Sequence, residues 1–265
     1  MGRILTYPKR SSNTVNRYKH RATYDLNAIH SIINASQVLH VSFSPGPSDP
    51  FPAILPMIGQ MGSFEYPSAG IDEPQDCYLH GYVSSRIMNL ARDSEEGLPI
   101  CVAASSVDGL ILSLTPNSHS YNYRSAILHG YAKLVTDEAE KLWAMELITN
   151  SVLPDRWSHS RVPPDRAEMS STVILKVKVV DGSGKIRDGG VSDEKKDTMK
   201  DEVTSNVWTG VVPVWETFGE PVPSPENKVT KVPDYITRFI TKNNEQNRKY
   251  AQGAVKVTLP VEEQH

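Results

Sequence analysis

"SHSYNYRSAILHG", residues 118–130, crowds tyrosines, an asparagine, an arginine and a histidine into the start of a segment that continues through Ala126, Ile127 and Leu128 as a buried strand. A strand buried by its neighbours needs apolar side chains, so one that opens on rings and polar groups has something polar to face. Its continuation, "YRSAILHGYAKLVT" (123–136), reads as one bent strand or two, with Gly130 a candidate bulge where a sheet curls. Closing an antiparallel sheet into a barrel requires such a bend, so the fold turns on this stretch.

The segments on either side extend the same reading. "LPICVAASS" (98–106) and "LILSLT" (110–115), joined across Asp108 and Gly109, form a hairpin, because Asp-Gly supplies the positive φ angles of a tight turn. "STVILKVKVVD" (171–181) alternates Val173, Leu175, Val177 and Val179 against Lys176 and Lys178, which puts one face in solvent. "QVLHVSFS" (37–44) and "FPAILPM" (51–57) read as an antiparallel pair across the turn-rich "PGPSDP". Pro56 has no N–H to donate, so its strand has an open edge or a bulge there. Residues 59–75 read as an excursion before the strand "CYLH" (77–80), which Gly81 breaks, and "VWTGVVPV" (207–214) supplies the last strand.

Helical spacing marks three further elements. "TYDLNAIHSIINAS" (23–36) sets Leu26, Ile29, Ile32 and Ile33 on one face, with Thr23 or Asp25 as cap; "VSSRIMNLAR" (83–92) follows Gly81; "DEAEKLWAMELITN" (137–150) buries Leu142, Met145 and Ile148. Residues 187–202 are charged and read as loosely ordered, and a Pro-rich linker after Phe218 leads to the helix "DYITRFITKNNEQNRKYAQ" (234–252) with the stripe Tyr235, Ile236, Phe239 and Ile240. The expected class is α+β: an antiparallel split β-barrel of six or more strands with peripheral helices. The expected organisation is a flexible basic arm over 1–16, the barrel over 17–218, and the linker with its helix over 219–265.

Composition excludes several classes. At 265 residues with 38% hydrophobic content the chain is long enough to bury a core, and a net charge of -3 lacks the electrostatic footprint of a duplex-binding protein. Cys77 and Cys101 have neither CxxC nor Cys/His spacing, no apolar run is long enough to span a bilayer, and the N-terminus lacks a secretory signal, so no nucleic-acid or membrane partner is expected and the cytoplasm is the expected compartment. Residues 1–24 carry Arg3, Lys9, Arg10, Arg17, Lys19 and Arg21 without an acid, the signature of a solvated arm, and "MGRILT" matches the loose myristoylation pattern through Gly2 and Thr6.

No GxGxxG, GxSxG or HExxH motif is present. "VVDGSGKI" (179–186) resembles a phosphate-binding loop, but Val179 stands where the first glycine belongs and Ile186 where a hydroxyl would hold magnesium, so it reads as a turn. His20, His30 and His40 share no face, and no metal site is expected. His80 and His129 each precede a glycine at a strand end, where a ring faces a cavity or is satisfied by the backbone. "YLHGYVSSRIMN" (78–89) runs from a strand through a glycine into two hydroxyls and a guanidinium, suited to a phosphate monoester or, equally, to a capped helix with a solvated arginine.

Taken together, "RATYDLNAI", "PAILPM", "YLHGYVSSRIMN", "YNYRSAILHGYAKLV" and "KIR…VWTGVVPV", over roughly residues 17–214, resemble the FMN-binding split barrels of the pyridoxamine 5′-phosphate oxidase-like superfamily. The nearest branch is that of flavin-nucleotide-binding proteins related to nitroimidazole-resistance reductases. The resemblance implies an FMN-dependent oxidoreductase acting on a small molecule, with the flavin in a groove between the two chains of a homodimer and NAD(P)H as a candidate electron donor. It implies that Ile54, Leu55, Pro56 and Met57 run beside the flavin ring, that Ser84, Ser85 and Arg86 hold its phosphate, that Tyr123, Arg124 and Ser125 complete the groove, and that Lys185, Arg187 and Trp208 belong to a later cofactor motif. His80 is the implied catalytic proton donor. The apolar "VVPV" (211–214) replaces the arginine-rich end with which the vitamin B6 oxidase clamps its substrate, which argues against that reaction. Two other readings stay open: a flavin-storage or flavin-sensing protein without turnover, and a haem-binding barrel with His80 or His129 as ligand.

Overall fold

A computed structural model of the protein describes residues 4–46 and 48–255. The Gly2 pattern and the end of the C-terminal segment lie outside the described residues. In chain order the elements are β1 (Ala22–Thr23), α1 (Leu26–Ala35), β2 (Leu39–Phe43), β3 (Ala53–Met57), β4 (Gly59–Gly62), β5 (Asp76–Tyr82), α2 (Arg86–Arg92), β6 (Leu98–Leu112), β7 (Ser120–Leu134), α3 (Glu138–Val152), α4 (Arg166–Ser171), β8 (Thr172–Arg187), α5 (Lys195–Thr198), α6 (Asp201–Thr204), β9 (Gly210–Pro213) and α7 (Asp234–Gly253). The class is α+β, as the pattern of elements predicts. Nine strands form one sheet in the order β3-β2-β6-β7-β8-β5-β4, with β1 added on β8 and β9 on β6. The sheet is not closed: β3 and β4 are its ends, as expected of a split barrel.

The described chain divides into two compact units, Met1–Ser105 with Ser125–Lys185, and Ser106–Arg124 with Ile186–His265. This differs from the consecutive segments expected from the sequence. In the first unit, α1 begins where predicted: Asp25 caps it by accepting a hydrogen bond from the backbone N–H of Ala28 at 3.2 Å, and Leu26, Ile29, Ile32 and Ile33 are buried. β2 and β3 pair antiparallel from Leu39 with Met57 to Phe43 with Ala53, and the terminal place of β3 accommodates Pro56 without an unpaired ladder donor. Over β5 and β8, a core of Tyr78, Val135, Ala144, Ile148 and Ile174 is covered by Phe64, Trp143, Met145 and Leu147. Of the face expected from spacing, α3 thus buries Ile148 and packs Met145 against this core, while Leu142 stays at the surface and Ala144 is buried instead.

Several turns expected from glycines do not form. β6 runs through Asp108 and Gly109 as one strand, and β8 runs through "VVDGSGKI" as one strand. β5 continues past Gly81 to Tyr82, and the excursion over 59–75 contains β4, which pairs with β5. β7 is a single strand with no bulge at Gly130, for its burial alternates without a break from Ala126 to Lys133. Glycine is required at 130 for another reason: a Cβ there would lie 2.5 Å from the carbonyl oxygen of Lys178.

Residues 4–16, expected to be a solvated arm, are held in place. The N–H of Tyr7 donates to the carbonyl of Tyr24 at 2.8 Å, and buried Asn13 donates to the carbonyls of Pro8 and Gly182 at 2.9 and 3.0 Å. In the second unit, the charged stretch after Arg187 contains α5 and α6, and β9 pairs with residues Gly109–Leu112 of β6. The stripe of α7 is half-buried, with Phe239 edge-on to Phe218 at 5.3 Å and Asn244 bonded to both backbone groups of Phe218. Among the described residues no helix is long and apolar enough to cross a membrane, and no group of three or more His, Cys, Asp or Glu side chains could hold a metal ion.

Candidate cofactor site

The turn between β5 and α2 gathers the residues assigned to a phosphate. Cys77, Tyr78 and Leu79 anchor β5 in the core, and burial pushes the Cys77 thiol up to about 12, so it is inert at neutral pH. At Gly81 a Cβ would meet the methyl of Met88 at 2.2 Å and that of Met57 at 3.5 Å. The missing side chain therefore lets α2 and the end of β3 close on this turn, which brings Met57 beside the segment that leads to Ser84, Ser85 and Arg86.

Ser85 occupies the N-cap position of α2, yet its side chain caps nothing. Its Oγ is buried and has no hydrogen-bond partner. Leaving a hydroxyl in that state costs about 1–3 kcal/mol, so the position suits a ligand that brings an acceptor. Ser84 is exposed beside it. The Arg86 guanidinium donates to the carbonyl of Pro45 at 3.0 Å and pairs with Asp49 at 3.3 Å, and its side chain remains 55% exposed. Such a half-exposed pair contributes on the order of 0–1 kcal/mol, so an arriving anion can share the guanidinium.

His80 stands one residue before Gly81 and is exposed, with its backbone N–H bonded to the carbonyl of Ile58 at 2.9 Å. Partial burial of the ring lowers its pKa, which keeps the imidazole neutral at pH 7. On β3 the alternation places Ile54 and Pro56 on the exposed face, Leu55 half-buried and Met57 in the core.

Ser125 and Lys185 meet on adjacent strands, where the Ser125 hydroxyl donates to the Lys185 carbonyl at 3.2 Å. The Lys185 ammonium lies 5.8 Å from the ring centroid of Tyr18, with the guanidinium carbons of Arg21 and Arg17 at 4.3 and 5.0 Å from the same ring. None of these three cations makes an ion pair among the described residues, and Tyr18 takes the left-handed conformation with φ of 56°. Hydrogen bonding from Arg17, and its charge, lower the Tyr18 hydroxyl pKa. Sequence reasoning missed Tyr18 as a focus; the run of cations without an acid was the available signal.

The remaining assigned residues belong to the second unit. Arg124 makes a bidentate pair with Asp108, 2.8 and 3.0 Å, and lies 3.8 Å over the Tyr250 ring. Arg187 donates to the side-chain carbonyl of buried Asn122 and to the carbonyl of Gly190. Tyr123 is half-buried, and Trp208, 68% exposed, lies against Gly210. The polar opening of β7 thus has protein partners of its own: Asn122 and Arg124 organise a buried network within this unit.

Comparison with known proteins adds three findings. A family model described as pyridoxamine 5′-phosphate oxidase matches residues 25–186, and no curated protein matches the chain. The structure of the flavocytochrome Anf3 from Azotobacter vinelandii is similar, at 25% identity and a TM-score of 0.71 over 87% of this chain and 97% of that one. The FAD and heme binding protein from Mycobacterium smegmatis shares the fold at 20% identity and a TM-score of 0.67, over 83% and 97% of the two chains.

Proposed function

The chain belongs to the pyridoxamine 5′-phosphate oxidase family, and from that premise we propose that it is a flavin-dependent oxidoreductase whose FMN phosphate is held by Ser84, Ser85 and Arg86. The observation that carries this reading is the buried, unpartnered hydroxyl of Ser85 in the turn that also presents Arg86. Ser85 Oγ would donate to a phosphate oxygen and so be satisfied, and Arg86 would share its guanidinium between that phosphate and Asp49. Likeness to a flavocytochrome across nearly the whole of that chain supports redox use of a flavin. FMN is preferred because the sequence has no dinucleotide-binding motif.

When bound, the flavin supplies the electron transfer. The chain binds and orients it: the exposed side of Ile54 and Pro56 on β3 takes one flank of the ring, with Leu55 and Met57 holding that strand against the core. His80, neutral at pH 7, still carries one ring N–H and is the proposed proton donor to a small substrate. Ser125 and Lys185, with the cations around Tyr18, offer further anion contacts in the first unit, and the proposed assembly is a homodimer. NAD(P)H is the proposed electron donor. The apolar 211–214 segment makes pyridoxamine phosphate itself a poor candidate substrate. Haem is a second reading, favoured by the likeness to a flavocytochrome; a Soret band in the purified protein would establish it.

The test pairs Ser85→Ala with Arg86→Ala. Removing the orphan hydroxyl should stabilise the flavin-free protein while weakening FMN binding about fivefold, and losing the charged partner should weaken it roughly 10- to 150-fold. FMN affinities unchanged in both variants overturn the assignment. Stopped-flow mixing of the FMN-loaded protein with NADH or NADPH separates the enzyme from a storage or sensing protein, since only the former is reduced within a turnover time.

A further inference from the structure

A cavity of about 800 Å³ opens within the first unit, between the N-terminal segment, the end of β2 with the residues leading to β3, the start of β6, and β7 and β8 around His129 and Asp181. At its wall lies Asp181, 3% exposed. One carboxylate oxygen accepts from His129 Nδ1 at 2.7 Å; the other accepts from the Ser12 hydroxyl at 2.9 Å and has Arg10 Nε 3.9 Å away. Because the carboxylate accepts a hydrogen bond from Nδ1–H, the tautomer is set: Nε2 of the neutral ring is an acceptor, and on the protonated ring it is a donor. His129 lines the cavity with its side chain about a third exposed, so this edge is open to a ligand.

The rest of the lining is mostly apolar, with the hydroxyls of Ser11, Ser42 and Ser44 among it. Phe51 is 75% exposed and Tyr131 45% exposed, with Pro99 and Ile100 beside them. Asp181 is faced by His129 and Asp49 by Arg86, while Arg10, 54% exposed, stands 3.9 Å from Asp181, so the lining has no excess of positive charge to select a strong anion. What fits is a planar, uncharged molecule carrying one weakly acidic oxygen. Volume agrees, for cavities of roughly 300–1,000 Å³ hold ligands of that size.

We propose that this cavity binds a small phenol, its ring against the aromatic and proline wall and its hydroxyl on His129 Nε2. In the neutral pair the hydroxyl donates to Nε2; with the proton passed to the ring, the imidazolium donates to the phenolate while Asp181 balances its charge. None of the hydrogen bonds of this site involves Ser84, Ser85 or Arg86, although the cavity shares Pro45 and Asp49 with the surroundings of Arg86.

The experiment uses the full-length protein as purified and 4-nitrophenol, a phenol that ionises near neutrality and whose visible absorption reports its ionisation. Titration should show saturable binding with an increase in phenolate absorption. His129→Gln should abolish that increase and weaken binding at least tenfold, and Ser44→Trp, at an exposed lining position where an indole fills the mouth, should block binding. Circular dichroism melts that match the unaltered protein qualify both variants. Absence of saturable binding, binding and spectral change that persist in His129→Gln, or a broad long-wavelength charge-transfer band, which would put the phenol over a flavin ring instead, each overturn the proposal.

Discussion

His30 sits at zero exposure between two partners: the carbonyl of Ile71, 2.7 Å from Nδ1, and the Tyr7 hydroxyl, 2.6 Å from Nε2. A carbonyl only accepts, so Nδ1 carries the proton and Nε2 accepts from Tyr7, which ties the N-terminal segment to α1. Burial lowers the His30 pKa, with the Ile71 hydrogen bond and Asp25 opposing it in smaller measure, and burial raises that of Tyr7. The unfolded chain therefore takes a proton at a pH where the folded chain refuses it. Stability is full above the ordinary histidine value of about 6.5 and falls as pH drops through the lower folded value. Urea unfolding between pH 7.5 and 5 should show this loss, and His30→Gln should flatten the dependence; an unchanged slope removes His30 as its source. At the Asp108–Arg124 pair, Arg124→Met leaves a carboxylate of 5% exposure uncompensated, which should cost about 3 kcal/mol. The double variant with Asp108→Leu should recover most of that, read from urea midpoints. Equal losses in the single and double variants argue that Arg124 stabilises by packing on Tyr250 alone.

Glycine means different things inside a strand and in a loop. At Gly130 the backbone of β8 approaches so closely that an added Cβ meets a carbonyl oxygen at 2.5 Å, whereas at Gly219 it meets nothing within 4 Å. Gly130→Ala must push β7 and β8 apart and should destabilise by about 1–3 kcal/mol, while Gly219→Ala should stay within about 0.5 kcal/mol. Equal unfolding midpoints for the two variants refute the close approach. The same comparison explains why Asp108-Gly109 and Gly182-Ser183-Gly184 carry the sequence signs of turns and form none. Gly109 is paired with Pro213 and Gly184 with Thr23, and Asp108 is paired with Arg124, so ladder bonds and a buried ion pair outweigh a local turn preference. Periodicity was enough for α1, where the helix stands alone as an amphipathic stripe. In α3 it placed Ile148 and Met145 against the core but missed the small Ala144 and put Leu142, which stays at the surface, in its stead.

At the scale of the whole chain, binding free energy should appear as stability. If FMN binds the folded protein alone, then 100 Kd of FMN stabilises it by about 2.7 kcal/mol, visible as a raised thermal midpoint. Amide exchange should slow most across residues 79–92, where the cofactor turn lies; uniform slowing, or none, contradicts that placement. The family and its α+β class were legible from sequence because they rest on the order of strands, glycines and apolar runs, which chain neighbours determine through period and turn chemistry. The cofactor turn was legible in part: Ser84, Ser85 and Arg86 stand together by adjacency. That Ser85 is buried without a partner, that Arg86 shares Asp49, and that His129 is aimed by Asp181 were decided only by the tertiary structure. These pairings join residues 37 to 52 positions apart, and the free energy of an ion or a hydroxyl depends on what surrounds it in space, which no spacing along the chain encodes.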